Sequence, residues 1–370
     1  MNINRKSIVR GMAAVLILAV SCPIAASAAW SENVITQTLD GIQWRFKIDE
    51  SNRTALLGSE DSSTGSDNAQ YWATVTTTKK ENNINVKQDI RGVLEVPSSF
   101  TVDGIDYDLV AIGNRALIRY GMSTLIMPEN VGWLRNCACY ECPYMTNLWF
   151  KGHATPSWEF GRNYVDLNFT EANVLQNVTA IKHVLVGPNL KRSGSKFKVS
   201  SGTDVLVLFP HRADNTTWAG VDVGGTTPNV VYYNDIDETA GTITFSPTNA
   251  VALATAFATL PTIAPQIKAA FGFDSKIVVS TAIETATAIP AAFQTSGIPL
   301  ETTEWVAFEA TTQAQLDEVL GTCSVSSKVL IDPSGAAGPL VVPSGRNVAL
   351  LMPPNGTVKP EVCGLIISFL

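Results

Sequence analysis

A self-similarity with a displacement of 23 residues constrains this chain more than any other feature, because a repeat dictates architecture before any element is assigned. Met122-Ser123-Thr124-Leu125-Ile126-Met127 and Met145-Thr146-Asn147-Leu148-Trp149-Phe150 share the pattern apolar-x-x-Leu-x-apolar, displaced by 23 positions. The segments between them match as well, with Ile112 to Leu117 aligning on Leu134 to Cys139 at a displacement of 22. An earlier copy, Leu94-Glu95-Val96-Pro97, parallels Leu125-Ile126-Met127-Pro128 with a longer insert at Thr101 to Tyr107. Val184-Leu185-Val186 and Val207-Leu208-Phe209-Pro210 are again 23 apart, and residues 159 to 180 interrupt the register. Each short segment reads as a strand whose outer residues point to one side and whose middle residue points to the other. One copy cannot bury its apolar side alone, so copies must stack.

The alternation sorts the strand residues into two sets. Leu125 and Met127, Leu148 and Phe150, Val184 and Val186 form the core side, which leaves Ile126, Trp149, Leu185 and Leu208 as an outward column with Glu95 at the equivalent earlier position. An exposed apolar stripe of this kind marks a contact surface, and these five residues are the candidate binding site. The alternative is a covering layer, since sheets buried on both faces also show continuous apolar strands.

The string Val110-Ala111-Ile112-Gly113-Asn114-Arg115-Ala116-Leu117, then Leu125 to Val131, then Ala138-Cys139-Tyr140-Glu141-Cys142-Pro143-Tyr144-Met145 resembles the BspA-type leucine-rich repeats of bacterial surface proteins. Cys142 falls on that family's Cys position and Cys139 on its Phe position, so the resemblance implies packing roles for both. Leu39 to Ile48 also resembles the strand that precedes such repeats. The likeness covers residues 36–234, most closely 92–151, and departs from the pattern at Trp133-Leu134 and at Ser193-Gly194. It implies a stacked solenoid that makes protein or surface contacts and carries no catalytic residues.

Residues 2–10 carry Arg5, Lys6 and Arg10, Met12 to Val20 are all apolar, and Ala26-Ser27-Ala28 offers a small-x-small cleavage site. This is the pattern of a secretory signal peptide, cleaved near Ala28/Ala29. The apolar run is too short to span a bilayer, which takes roughly 18 or more residues. A second reading lipidates Cys22 after Ala19-Val20-Ser21, although Ala19 stands where Leu is usual and Pro23 follows directly. Without the leader, 23 Lys and Arg face 33 Asp and Glu, so a nucleic-acid partner is not expected. Charged residues make up 16% of the chain against an average of about 25%, while 45% are hydrophobic, which argues against disorder.

After Tyr233 the composition shifts toward Ala and Thr, and a boundary is expected near Asn234. Ser246-Pro247 reads as a helix start, with Val251, Ala254, Phe257 and Ala258 on one face, and a second short helix is expected from Pro265 to Phe271, stopped by Gly272. Lys276 to Ser280, Trp305 to Phe308, Lys328 to Ile331, Leu340 to Val342 and Asn347 to Met352 read as strands, with a Thr312-capped helix ending at Gly321. Residues 304–352 resemble the entrance of a right-handed parallel β-helix, as in secreted pectate-lyase-like and adhesin chains. The apolar end Cys363 to Leu370 suggests a chain continuing beyond Leu370.

The expected fold class is therefore mainly β with short helices, a short leucine-rich-repeat solenoid followed by a β-rich α+β region. Its segments are a signal peptide at 1–29, a β-rich cap at 30–91, repeats at 92–234, a helix and strand linker domain at 235–303 and a β-helix-like segment at 304–370.

Chemistry-bearing motifs are sparse. His153, His183 and His211 form no pair with metal-ligand spacing, and no nucleophile elbow, HExxH or phosphate loop occurs. Cys137, Cys139 and Cys142, with His153 farther on, suggest zinc but lack a second chelating pair, and an odd count of five cysteines after the leader cannot pair fully. Gly220 to Gly225 lacks the Lys-Ser/Thr of a phosphate loop, and Asp235 to Glu238 lacks the Gly and distal Glu of a calcium loop. Asn52, Asn168, Asn177, Asn215 and Asn355 begin Asn-x-Thr sites, which matter only in a glycosylating host. No catalytic residue, metal or cofactor is expected. The expected partner is an extracellular protein or surface ligand. The alternative is a polysaccharide, bound through Trp149 or Trp158 or cleaved by a β-helix lying beyond the chain.

Overall fold

The computed structural model describes residues 30–58, 78–81, 84–113, 115–134, 138–151, 178–188, 205–211, 229–284, 288–332 and 338–351, with short pieces at 159–160, 175, 191–192, 197–199, 221–223 and 336. The leader, Cys22, Cys137, His153, Trp158, Cys363, the apolar carboxy-terminal end and four of the five Asn-x-Thr asparagines lie outside the described residues. Within them the fold is mainly β, with strands arranged in several sheets and three helices.

The repeat register organises the largest sheet. Strands Ile84–Glu95, Tyr120–Met127, Asn147–Phe150, His183–Val186, Leu206–Pro210 and Asn229–Tyr233 lie side by side in chain order, all parallel, and Thr78–Glu81 closes one edge antiparallel. Leu94, Leu125, Leu148, Val184, Val207 and Val230 occupy one register position across it. Where the copies are regular, equivalent residues are 23 apart, as for Thr124 and Asn147, whose side chains meet. The insert after Leu94 forms a hairpin of Ser99–Val102 with Ile105–Ile112. That hairpin joins Ile35–Leu39, Ile42–Asp49, Thr54–Leu57 and Trp133–Leu134 in a second sheet, which covers one face of the first. Between them lie the outer residues of the repeat strands together with Trp44, Phe46, Phe100, Tyr107 and Leu109. Phe46 and Phe100 stack with ring centroids 3.9 Å apart.

The other face is covered by residues 235–351. Helix α1 (Ala250–Phe271) sits between parallel strands Thr242–Phe245 and Asp274–Val279. Asn249 caps it by accepting from the Ala252 N–H, and Gly272 ends it at φ 83°, a conformation open to glycine at no steric cost. The two helices expected here are one. Pro261 and Pro265 each cost about 3 kcal/mol inside a helix. Burying Leu253, Phe257, Leu260, Ile263 and Ile267 contributes roughly 1.5–3 kcal/mol apiece and outweighs that cost. The buried stripe shares only Phe257 with the expected face, because the larger Leu253, Leu260, Ile263 and Ile267 select the side that packs on the sheet. By length and composition α1 could cross a membrane, and in this fold its apolar stripe packs on the sheet.

Helix α2 (Ala291–Gln294) is short, and α3 (Gln313–Thr322) starts at Thr312 as expected, in a capping box with Gln315. The parallel strands Leu300–Thr302, Val306–Glu309, Lys328–Asp332 and Asn347–Leu350 complete the unit, whereas Leu340 to Val342 is not a strand. The repeat displacement returns here. Ile277 pairs with Leu300 and Leu300 with Cys323, and Ile283 pairs with Val306 and Val306 with Val329, each 23 residues on. One core runs through residues on both sides of position 303.

Leu148 and Leu208 probe the two faces separately, as both are fully buried but in different cores. Leu148→Ala and Leu208→Ala should each lose about 2–5 kcal/mol in urea unfolding. A loss below about 0.5 kcal/mol for Leu208→Ala would show that residues 235–351 do not pack on the sheet.

Candidate functional site

Glu95, Ile126, Trp149, Leu185 and Leu208 stand in one row, each beside the next on adjacent strands, and Val231 extends the row. Sequence alternation places them correctly on the face opposite Leu125 and Leu148. The row is not an open surface, however. Ile126 is 9% exposed, Trp149 7%, and Leu185 and Leu208 are fully buried, because α1 and its neighbouring strands lie on them. The Phe273 ring meets Trp149 edge-on at 5.2 Å. The apolar stripe is therefore an internal interface, and a contact surface built from these four residues is corrected to a packing role. Trp149 Nε1 is buried in that interface with no hydrogen-bond partner.

Glu95 differs, with a side chain 55% exposed at the edge of a cleft. Its neighbour is Lys151, the residue that follows strand Asn147–Phe150, two strands away. Lys151 Nζ lies 2.8 Å from a Glu95 oxygen and 3.1 Å from one of Glu238, and 5.2 Å from the centre of the Trp149 ring. Burial pushes the Lys151 pKa down, but hydrogen bonds and charge from Glu95 and Glu238 outweigh it and hold the ammonium above the usual lysine range. Asp235 to Glu238 thus serves in a strand and in this ion pair rather than in a calcium loop, and Asp237 caps the turn by accepting from the Ala240 N–H at 2.8 Å.

The cleft encloses about 400 Å³. Successive repeat strands all end at this edge, so Glu95 to Ser98, Pro128, Glu129 and Lys151 line one wall together. The opposite wall is the hairpin Leu39, Asp40, Ile42 and Trp44. Asp40 and Gly41 take φ 53° and 78°, the paired positive values of a two-residue hairpin turn, which is why an Asp-Gly step stands there. Three carboxylates, Asp40, Glu95 and Glu129, therefore share a cleft with one ammonium. Such an arrangement attracts a basic group and offers no nucleophile paired to a base. Sequence reading singled out Glu95 alone. The places of Pro128-Glu129 and Lys151 just after repeat strands were a usable signal for one wall, whereas the hairpin wall is far away in the chain.

The described cysteines, Cys139, Cys142 and Cys323, are packing residues. Cys139 and Cys142 are buried, with Cys142 Sγ donating to the Leu117 carbonyl at 3.0 Å. Burial pushes the Cys139 thiol well above its ordinary pKa, with Cys142 adding to the effect, and burial pushes Cys323 up to about 12 against the opposing charge of Arg346. Among the described residues no three His, Cys, Asp or Glu side chains are grouped to hold a metal. His183 stands beside Asn147 under α1, and His211 lies near the Tyr232 ring. Of Gly220 to Gly225, residues Val221–Val223 form a strand paired with Phe197–Val199. No protein-family model, no curated protein and no solved structure matches the chain.

Lys151→Met should lower stability by about 1 kcal/mol in urea unfolding at low salt, the upper range for partly exposed pairs, and 1 M salt should shrink the difference. Cys139 and Cys323 should resist alkylation in the folded chain and react within minutes in denaturant, read by peptide mass spectrometry. Rapid alkylation of either thiol in the native state would contradict their burial and raised pKa values.

Proposed function

We propose that this chain is a secreted or cell-surface leucine-rich-repeat protein of the BspA-like kind, a solenoid that acts by holding an extracellular protein rather than by catalysis. The single observation that carries the reading is the strand register. Equivalent residues are 23 apart at three steps of the parallel sheet, from Leu125 to Leu148, Val184 to Val207 and Val207 to Val230, with longer steps of 31 and 36 at Leu94 to Leu125 and Leu148 to Val184. The displacement of 23 returns between strands from residue 277 on. A coil that adds one parallel strand per copy is the construction repeat proteins use to build extended contact surfaces. The opening Arg5, Lys6 and Arg10, apolar run and Ala26-Ser27-Ala28 support export.

With the apolar row covered, the contact surface shifts to the strand-end edge. The cleft between the amino-terminal hairpin and the strand ends presents Asp40 and Glu129 on exposed walls beside the Glu95 and Lys151 pair. It suits a partner segment carrying a Lys or Arg side chain, which would meet two carboxylates that the Lys151 ion pair does not use.

The test is capture of the purified chain on an array of extracellular-matrix proteins and insoluble glycans, with the double variant Asp40→Asn/Glu129→Gln beside it. Asn tolerates the positive φ at position 40, so the fold should be kept and checked by circular dichroism. Protein capture should weaken at least tenfold in the variant and fall with added salt in the parent. Equal capture by parent and variant would remove the cleft from the reading, and retention on glycans alone would replace a protein partner with a polysaccharide.

A further inference from the structure

Two residues before the buried apolar row runs a second row on the same face, and it is polar. Thr124, Asn147 and His183 stand side by side on three adjacent strands. Asn147 Nδ2 donates to Thr124 Oγ1 at 2.9 Å, and Asn147 Oδ1 lies 2.8 Å from His183 Nδ1. Thr124 and Asn147 are buried and His183 is half-buried. From α1, the Phe271 ring meets the imidazole edge-on at 6.5 Å, and the exposed Gln266, whose amide N–H donates to the Thr262 carbonyl at 3.0 Å, lies near it. Leu206 stands on its other side in the sheet. The last turns of α1 thus lie over a hydrogen-bonded line of the repeat sheet beside an apolar interface.

This line tolerates either protonation state in its hydrogen bonds but not in its charge. When Nδ1 carries no proton, the Asn147 amide can turn to donate to it, and its carbonyl then accepts from the Thr124 hydroxyl. When Nδ1 carries a proton, it donates to Asn147 Oδ1 and the amide donates to Thr124. Thr124 serves both cases because a hydroxyl donates and accepts. A second proton on the ring, by contrast, places a full charge at a half-buried position. Asn147, Thr124, Gln266, Leu206 and Phe271 around it are all neutral, and the charged group acting on it is another cation, Lys182, the residue just before its strand. On α1 the nearby charge is Lys268, which is paired to Asp274.

We propose that the Thr124–Asn147–His183 line beneath α1 is a proton-operated latch that lets the carboxy-terminal turns of α1 pack on the repeat sheet while His183 is neutral and loosens them when the ring is protonated. Burial lowers the His183 pKa from its ordinary 6.5, Gln266 opposes that shift, and Lys182 adds to it. For a base whose folded pKa is depressed, the unfolded or opened state binds the proton more readily. The stabilisation is complete above the ordinary pKa and is lost as pH falls below it.

The experiment is hydrogen–deuterium exchange of the α1 amides in the intact chain at pH 7.5 and 5.0, corrected for intrinsic exchange rates, in parent and His183→Gln. In the parent, protection of residues 262–271 should fall severalfold at pH 5.0, whereas His183→Gln should show equal protection at the two pH values. An equal fall in His183→Gln, or no fall in the parent, would overturn the latch. Gln266→Glu keeps the question answerable if His183→Gln does not fold, because a carboxylate beside the ring should abolish or reverse the fall. A parent-like fall in Gln266→Glu would likewise overturn it.

Discussion

A parallel sheet has no face that it can leave to water, because its strands are too uniformly apolar, and everything in this protein is arranged around that constraint. Each repeat contributes one short strand whose neighbours come from the copies before and after. The hydrogen bonds between strands close in one register although the copies span 23, 31 or 36 residues, because the longer copies carry their extra residues between these strands. Outer residues such as Leu125, Leu148 and Val184 meet the amino-terminal sheet, while Ile126, Trp149 and Leu185 meet the unit that follows the repeats. Neither covering layer is dispensable, since either one alone would leave a continuous apolar row in contact with solvent.

The same stacking explains where polar groups collect. Strands of one direction bring all their ends to one edge, so residues far apart in the chain, such as Glu95, Glu129 and Lys151, become neighbours there. Lys151 ties three parts of the molecule at that edge, linking two repeat strands to the Asp235–Asp237 hairpin through Glu238. Its ammonium lies over the Trp149 ring, which joins the ionic edge to the apolar interface behind it. Within the interface, polar side chains are tolerated where a neighbouring strand supplies a partner at the same register, as Asn147 does for Thr124 and His183. The indole N–H of Trp149 has no such partner, and there shape and apolar area decide the packing instead.

Legibility in the sequence followed the range of the interaction. The 23-residue displacement, the strands at Leu125, Leu148, Val184 and Val207 and the division of their residues between two faces were all readable, because each rests on spacing along a few neighbouring residues. The Thr312 cap and the Gly272 stop were readable for the same reason. The join of two short helices into α1 was not. Pro261 and Pro265 signal a break locally, and only the uninterrupted stripe from Leu253 to Ile267 against distant strands overrides them. The return of the same displacement between Ile277, Leu300 and Cys323 was also hidden, since those copies share strand register without sharing a residue pattern.

For the site, the sequence alone determined that Glu95, Ile126, Trp149, Leu185 and Leu208 share one row and that the row opposes the main core, because side-chain direction alternates strictly along a strand. Whether that row meets solvent or another layer is a question about residues distant in the chain, such as Phe273, 124 positions after Trp149, and local pattern carries no information about it. Tertiary structure decided it by laying α1 and Phe273 over the apolar members and leaving Glu95 at the rim. It likewise decided that Asp40 would face Glu129 across a cleft, and that His183 would meet Phe271, since both are contacts between elements that only the covering of a two-sided apolar sheet brings together.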